Sequence, residues 1–245
     1  MSELVFVGTS DAFGARGRRQ SALLLRARGG TVLLDCGATT CAGLAALGIA
    51  REEIDAILVS HFHADHFGGI PFLLLASLYE DRRRRPLWIA GPPDVEARVR
   101  ALAEAMGYAL DEREWSFEIR FAEYHPGSER EIGPVAVDAF EVFHQPHTSP
   151  HALSLRSGAR RLVYSGDTGY FAALPGRVGD ADLFVCECTY LESDFEYHLS
   201  HRELAARKDE FRCRRLILTH LGEQMRDHAE KAVFETADDG LRVSL

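Results

Sequence analysis

The stretch Ser60-His61-Phe62-His63-Ala64-Asp65-His66 puts three imidazoles and a carboxylate directly after the apolar run 54–59. Neutral imidazole and ionised carboxylate are the donors that zinc and similar borderline cations prefer. Packing alone is a poor explanation, because polar rings crowded at the end of a buried strand are costly unless something satisfies them. The pattern points to a metal site rather than to a His-rich surface turn.

Other residues with ligand or acid–base capacity recur in the same setting. Apolar runs at 135–143, 161–165, 182–186 and 215–219 lead into His144, Asp167 (after Gly166), Glu187 and His220. In sheets flanked by helices, functional groups gather at one end of the strands, on loops carried by a rigid scaffold. Taken singly, His144 or His220 reads as a hydrogen-bonded histidine and Asp167 as a turn residue. Their recurrence makes one shared site the better reading.

The elements that must position these groups follow from patterning. Strands are expected at 4–7, 22–25, 31–35, 54–59, 87–90, 117–121, 135–143, 161–165, 182–186, 215–219 and 240–245. A short helix is expected over 37–48, capped by Thr39 or Thr40, and another after His66 with Ile70, Leu73, Leu74 and Leu78 on one face. A third follows Pro92-Pro93, with Val95, Val99, Leu102 and Met106 inward and Pro93 near its first turn. The run Arg82-Arg83-Arg84-Arg85 reads as a solvated helix end or loop, with phosphate binding as a secondary role. His201 and His228 read as exposed helix residues, and His125, before Pro126, as part of a turn. With no linker and no internal repeat, one compact α/β domain over 1–245 is the economical organisation.

A formal net charge of −9 argues against general affinity for nucleic-acid backbones. No window approaches the roughly 18 apolar residues of a membrane span, and the N-terminus has no signal-peptide pattern. Cys36, Cys41, Cys186, Cys188 and Cys213 form no CxxC pair, which suits reduced thiols in a cytoplasmic protein better than a disulfide framework.

Together these residues resemble the metallo-β-lactamase superfamily. His61-x-His63-x-Asp65-His66 is similar to its HxHxDH signature, Gly166-Asp167-Thr168 to its bridging-aspartate motif and Thr219-His220 to its final histidine. Within the superfamily the ribonuclease Z-like hydrolases are the nearest resemblance. It rests on Val137-x-Ala139-Phe140-x-Val142-x-His144, Tyr164-Ser165-Gly166-Asp167-Thr168, and Glu187-Cys188-Thr189 followed by His198. The resemblance implies a four-layer αββα sandwich with two divalent metal ions, most often zinc, with manganese or iron as alternatives. Carried over, His61, His63 and His144 would hold one ion, and Asp65, His66 and His220 the second, with Asp167 bridging. A strand end fixes a ligand better than a loop does, which favours His144 over His147, and His151 reads as a supporting or surface residue.

Two cations about 3.5–4 Å apart can bridge a water and lower its pKa, giving hydroxide as nucleophile. The resemblance makes His198 the proton donor near the leaving group and Glu187 its carboxylate partner, with Asp65 also counted among the catalytic residues. The bland reading of His198 is a loop residue before a helix capped by Ser200-x-x-Glu203. The Glu187–His198 pair favours a phosphodiesterase over a β-lactamase or glyoxalase II. A C-terminal helical substrate domain of the glyoxalase II kind is not expected after His220.

The expected substrate is a small phosphodiester such as a cyclic or linear nucleotide. Residues 104–134 carry no basic, glycine-rich arm for gripping tRNA, so extended nucleic-acid binding is not expected. The alternatives are tRNA 3′ processing, lactone or thioester hydrolysis and, in a different class, iron-dependent redox chemistry on the same fold. The resemblance also admits a homodimer.

Overall fold

The computed structural model describes residues 2–125 and 127–245. Among them, the strands form two sheets packed face to face. The first contains β1 (Glu3–Gly8), β2 (Ala22–Ala27), β3 (Gly30–Leu34), β4 (Ile54–Leu58), β5 (Leu87–Gly91) and β6 (Ile119–Glu123). The second contains β7 (Arg130–Ile132), β8 (Val135–Glu141), β9 (His151–Ser157), β10 (Arg160–Tyr164), β11 (Leu183–Glu187), β12 (Leu216–Thr219) and β13 (Glu235–Thr236). β14 (Arg242–Ser244) returns to the first sheet beside β1.

Alternate residues of each strand serve different layers, as the pleat requires. Leu4, Phe6, Leu23 and Leu25 meet Leu153, Leu155, Leu162 and Val185 between the sheets. Val5, Val7, Leu24 and Leu33 face outward under α1 (Thr40–Ala46), α3 (Ile70–Tyr79) and α4 (Val95–Ala105), the short α2 (Ala64–Phe67) coming between α1 and α3 in the chain. On the other side Val163, Phe184, Cys186 and Leu218 pack under α5 (Leu174–Val178), α6 (His201–Ala206) and α7 (Glu223–Asp227). Strands covered on both faces read as unbroken apolar runs. The αββα sandwich expected from the sequence is the fold that forms. No described helix is long and apolar enough to cross a membrane, and the five cysteines are free, Cys36, Cys186 and Cys188 being buried.

β3 to β6 are mutually parallel, and so are β10 to β13. Their C-terminal ends therefore open on one edge, and the site lies there. Several local expectations need correction. β8 stops at Glu141, so His144 stands on a short loop before the 3₁₀ turn Pro146–Thr148 rather than on a strand end. β7 is three residues long, and β9 follows a Pro- and His-rich stretch that hides its start, so neither is evident from patterning.

The helix leaving the cluster is in fact two, α2 and α3, separated by Gly68-Gly69. Thr39 is the N-cap of α1, but its hydroxyl accepts from the Gln20 N–H at 2.9 Å instead of capping. Pro93 precedes α4's N-cap, Asp94, and Ala103 takes the buried place expected of Leu102, which with Met106 is only half-buried. His201 is buried and accepts the Val233 N–H at 3.0 Å, whereas His228 is half-buried. The turn expected at His125 involves Pro126, which lies outside the described residues.

In the arginine run Arg82, Arg84 and Arg85 are exposed as expected, and Arg83 is the largest departure. Arg83 is 1% exposed, and its guanidinium donates to the carbonyls of Ile54 (2.7 Å), Arg85 (2.8 Å) and Pro86 (2.9 Å) above the Phe117 ring. Arg85 pairs with Asp55. These contacts tie segments together at the N-terminal end of β4, while His61 follows its other end. At about 3.3 Å per residue, roughly 20 Å separates the two. Arg83→Ala should therefore cost about 2–4 kcal/mol by leaving buried carbonyls unpaired, as a lower denaturant midpoint. KM of the folded enzyme should not move; a raised KM at unchanged stability would restore a phosphate-binding role.

Candidate metal centre

Sharp turns at the strand ends deliver the side chains. Asp35, after β3, and His220, after β12, both adopt positive φ (59° and 55°), rare for residues other than glycine and costly enough to mark a constrained site. Gly166 turns the chain after β10 at φ 57°, and a Cβ there would meet the His151 carbonyl and the Ser60 side chain at 2.9 Å. Asp167 is thereby presented where β10 faces β4.

The sequence-predicted residues converge in two clusters that share Asp167. His61, His63, His144 and Asp167 form one. His61 Nε2 and His144 Nε2 each lie 3.1 Å from His63 Nδ1, and Asp167 Oδ2 is 3.7 Å from His61 Nε2. Asp65, His66, Asp167 and His220 form the other. His66 Nε2 is 3.3 Å from Asp65 Oδ2 and 3.2 Å from Asp167 Oδ1, and His220 Nε2 is 3.2 Å and 3.5 Å from the same two oxygens. His147 is exposed and joins neither cluster, although its ring lies 6.3 Å from that of His63. His151 is buried, with Nδ1 on the Ser149 carbonyl.

The ring nitrogens facing away from the clusters are engaged, which fixes tautomer and orientation. His66 Nδ1 donates to Asp35 Oδ2 at 2.7 Å, and His144 Nδ1 to the Tyr197 carbonyl at 2.7 Å. His61 Nδ1 meets the Ser60 hydroxyl at 3.0 Å, and His220 Nδ1 the Thr189 hydroxyl at 2.9 Å. Asp35 also accepts from the Ser60 N–H (2.7 Å), the Ser60 hydroxyl (2.8 Å) and the Tyr164 hydroxyl (2.7 Å). Asp35 and Thr189 were not singled out from the sequence. Asp35 did carry the signal, an acidic residue closing the apolar run 31–34.

Inward, the picture reverses. His66 Nε2 and Asp167 Oδ1 are buried and, although 3.2 Å apart, are not aligned for a hydrogen bond to each other or to any other group. Native proteins rarely leave such atoms unpaired unless an ion or water meets them. Burial holds His61, His63 and His144 below the usual histidine range, so they are neutral and able to donate a lone pair. Asp167 stays far below the usual carboxylate range: burial opposes ionisation, but the neighbouring His220 and His66 outweigh it. Five imidazoles, two carboxylates and two buried atoms left without hydrogen bonds fit a divalent metal centre.

A third group, Glu187, His198 and His220, also lies within ligand distance. There the Thr189 hydroxyl sits 3.0 Å from Glu187 Oε2, 3.2 Å from His198 Nδ1 and 2.9 Å from His220 Nδ1, making a hydrogen-bond hub. His198 Nδ1 donates to Glu187 Oε1 at 2.8 Å. Glu187 is itself fixed by the N–H groups of Thr168 and Thr189. Burial disfavours the His198 cation, but Glu187 and then Asp167 prevail and raise its pKa to about 9. His63, Asp65, Asp167, His198 and His220 all line one open cavity of about 920 Å³, a size typical of small-molecule sites.

Several known proteins are similar to this chain. The family model described as "Anti-Pycsar protein Apyc1" matches residues 2–237. A curated Ribonuclease Z of Methanosarcina acetivorans is 28% identical, covering 96% of this chain and 94% of its own length. The metallo-β-lactamase-fold protein YhfI from Bacillus subtilis superposes with a TM-score of 0.79 at 22% identity, covering 99% of this chain and 98% of YhfI. The short form of human tRNase Z gives 0.75 at 24% identity, over 99% of this chain and 98% of the other. Matched over nearly its whole length, the chain belongs to the Anti-Pycsar protein Apyc1 family and is a ribonuclease Z-like, metal-dependent hydrolase of the metallo-β-lactamase fold.

Proposed function

We propose that residues 1–245 form a single cytoplasmic hydrolase domain that cleaves small phosphodiesters, cyclic or linear nucleotides among them, at a dinuclear zinc centre. His61, His63 and His144 hold one ion and Asp65, His66 and His220 the other, with Asp167 shared. When bound, two divalent cations supply activation of water and stabilisation of charge on a phosphoryl oxygen. The residues do the rest. Asp35, Ser60, Thr189 and the Tyr197 carbonyl lock the imidazoles in place. Glu187 holds the His198 imidazole through Nδ1, leaving Nε2 to pass a proton to the departing oxygen.

The observation that carries this reading is the Glu187–His198 pair, a buried carboxylate holding a half-buried imidazole, beside the two clusters. A proton donor of this kind serves alkoxide leaving groups, as in nucleotide phosphodiesters. The test is a panel of cyclic nucleotides, bis-aryl phosphodiesters, lactones and thioesters on metal-loaded protein. Turnover confined to the phosphodiesters is expected; faster lactone or thioester hydrolysis would overturn the reading.

Processing of tRNA 3′ ends is the second reading, favoured by the similarity to proteins named Ribonuclease Z. Cleavage of a precursor tRNA without turnover of any small phosphodiester would select it. The charge of −9 and the absence of a basic, glycine-rich arm in 104–134 support the small substrate instead.

A further inference from the structure

Gly169 lies two residues past Asp167 and is buried. Unlike Gly166 it does not take positive φ, so backbone conformation is not what calls for glycine here. The requirement is for space. A Cβ at this position would stand 1.7 Å from the Glu196 carbonyl oxygen, 2.8 Å from its carbon and 3.1 Å from Phe143 Cδ1. Packed atoms tolerate no less than about 3 Å, so a methyl group would force that carbonyl back by roughly 1.3 Å. The obstructing oxygen belongs to the backbone, and no change of rotamer can move it aside.

Three segments of the centre meet at this glycine. Its N–H donates to the carbonyl of Phe143, the residue before His144, at 2.7 Å. The Thr168 hydroxyl accepts from the Phe143 N–H at 3.2 Å. The Thr168 N–H donates at 3.0 Å to Glu187 Oε1, the oxygen that also takes His198 Nδ1–H. Onto this platform settles the arm 191–198, which leaves and rejoins the body of the domain at the bridged pair Tyr190 and Ser200. The carbonyl after that of Glu196, from Tyr197, accepts His144 Nδ1, and the side chain that follows is His198. Planar peptide bonds would carry a shift at Glu196 into both.

We infer that Gly169 is a positioning residue for proton transfer: having no side chain, it lets the Glu196 carbonyl seat the arm, which sets His198 against Glu187 and the Tyr197 carbonyl against His144. The inference rests on the proton-donor role proposed for His198 and adds the residue that keeps this donor in reach. A displacement of about 1 Å at a reacting group can cost on the order of 10²-fold in rate. The exposed Glu196 side chain has no part in the seating, because the contact is made by the backbone.

The experiment is a double-mutant cycle of Gly169→Ala and His198→Ala at saturating divalent metal, with Glu196→Ala beside it. Each chain is assayed on a 3′,5′-cyclic nucleotide, whose leaving alkoxide needs a proton, and on a bis-nitrophenyl phosphodiester, whose leaving group does not. Bound metal per chain and the denaturant midpoint are recorded for each. Gly169→Ala should fold, keep two ions and lose about 10–100-fold in kcat on the cyclic nucleotide, with little change on the nitrophenyl ester. In the His198→Ala background the same substitution should cost no more than about twofold, because the donor it displaces is already gone. Glu196→Ala should match wild type. Several results would overturn the inference and leave the role of His198 standing: an unchanged Gly169→Ala, equal losses on both substrates, losses that add in the double variant, or a Glu196→Ala as slow as Gly169→Ala. A metal-loaded Gly169→Ala chain that does not fold would also overturn it, by assigning the glycine to the fold. A His198→Ala chain as fast as wild type on the cyclic nucleotide, or no turnover of either ester by wild type, removes the underlying reading and this inference together.

Discussion

Asp167→Ala should lose its divalent ions and drop in kcat/KM by on the order of 10⁴-fold, because unassisted water is a far weaker acid than water on a metal. Asp167 is the only residue common to the two clusters on either side of the site. Its Oδ2 faces His61 at 3.7 Å, while Oδ1 faces His66 at 3.2 Å and His220 at 3.5 Å. Removing it leaves six donors in two unlinked sets of three and removes a buried negative charge that offsets two cations. Asp167→Asn separates these effects, since it keeps the shape and loses the charge. Metal content per chain and steady-state kinetics on one phosphodiester are the measurements. A variant that kept two ions and activity within tenfold of wild type would show that the clusters act independently.

His198→Ala is the opposite case. It should keep both ions, because His198 Nδ1 is committed to Glu187, and lose roughly 10²–10³-fold in kcat on alkoxide leaving groups. On nitrophenyl esters, whose leaving group needs no proton, the loss should be small. The pH profile carries the same signature. The protonated imidazole is the active form, present below its pKa and lost as pH rises through it, so wild type should show an alkaline limb at or below about pH 9. His198→Ala should lack that limb. Glu187→Gln should move it to lower pH, because the carboxylate is what favours the cation. Loss of metal, or an unchanged rate on alkoxide substrates, would remove His198 from proton transfer.

What was legible in the sequence was mostly local. The spacing of His61, His63, Asp65 and His66 is a pattern within a single turn, and it survives any uncertainty about the fold. The strand endings at Asp167, Glu187 and His220 were legible because parallel strands present one end to the same edge, so recurrence alone implies convergence. Asp35 was missed because its four hydrogen bonds come from Ser60, His66 and Tyr164, and only sheet register brings these within reach.

Arg83 was misread for the opposite reason. A run of like charges suggests solvent, yet carbonyls from two separate segments satisfy this guanidinium and allow it to be buried. His201 follows the same logic, its nitrogen meeting an N–H from Val233 far along the chain. At His144 the choice over His147 agrees with the clustering, but the argument behind it does not hold. A loop, pinned by the Tyr197 carbonyl, positions that imidazole.

The central claim is a two-metal centre acting on phosphodiesters, and its most direct test is metal stoichiometry against activity. Purified protein is stripped with a chelator, and divalent metal is added back while bound metal per chain and cyclic-nucleotide hydrolysis are followed together. The account predicts two ions per chain, with hydrolysis appearing as the second site fills. Full hydrolysis at one ion per chain, with Asp65 and His220 dispensable, would contradict it.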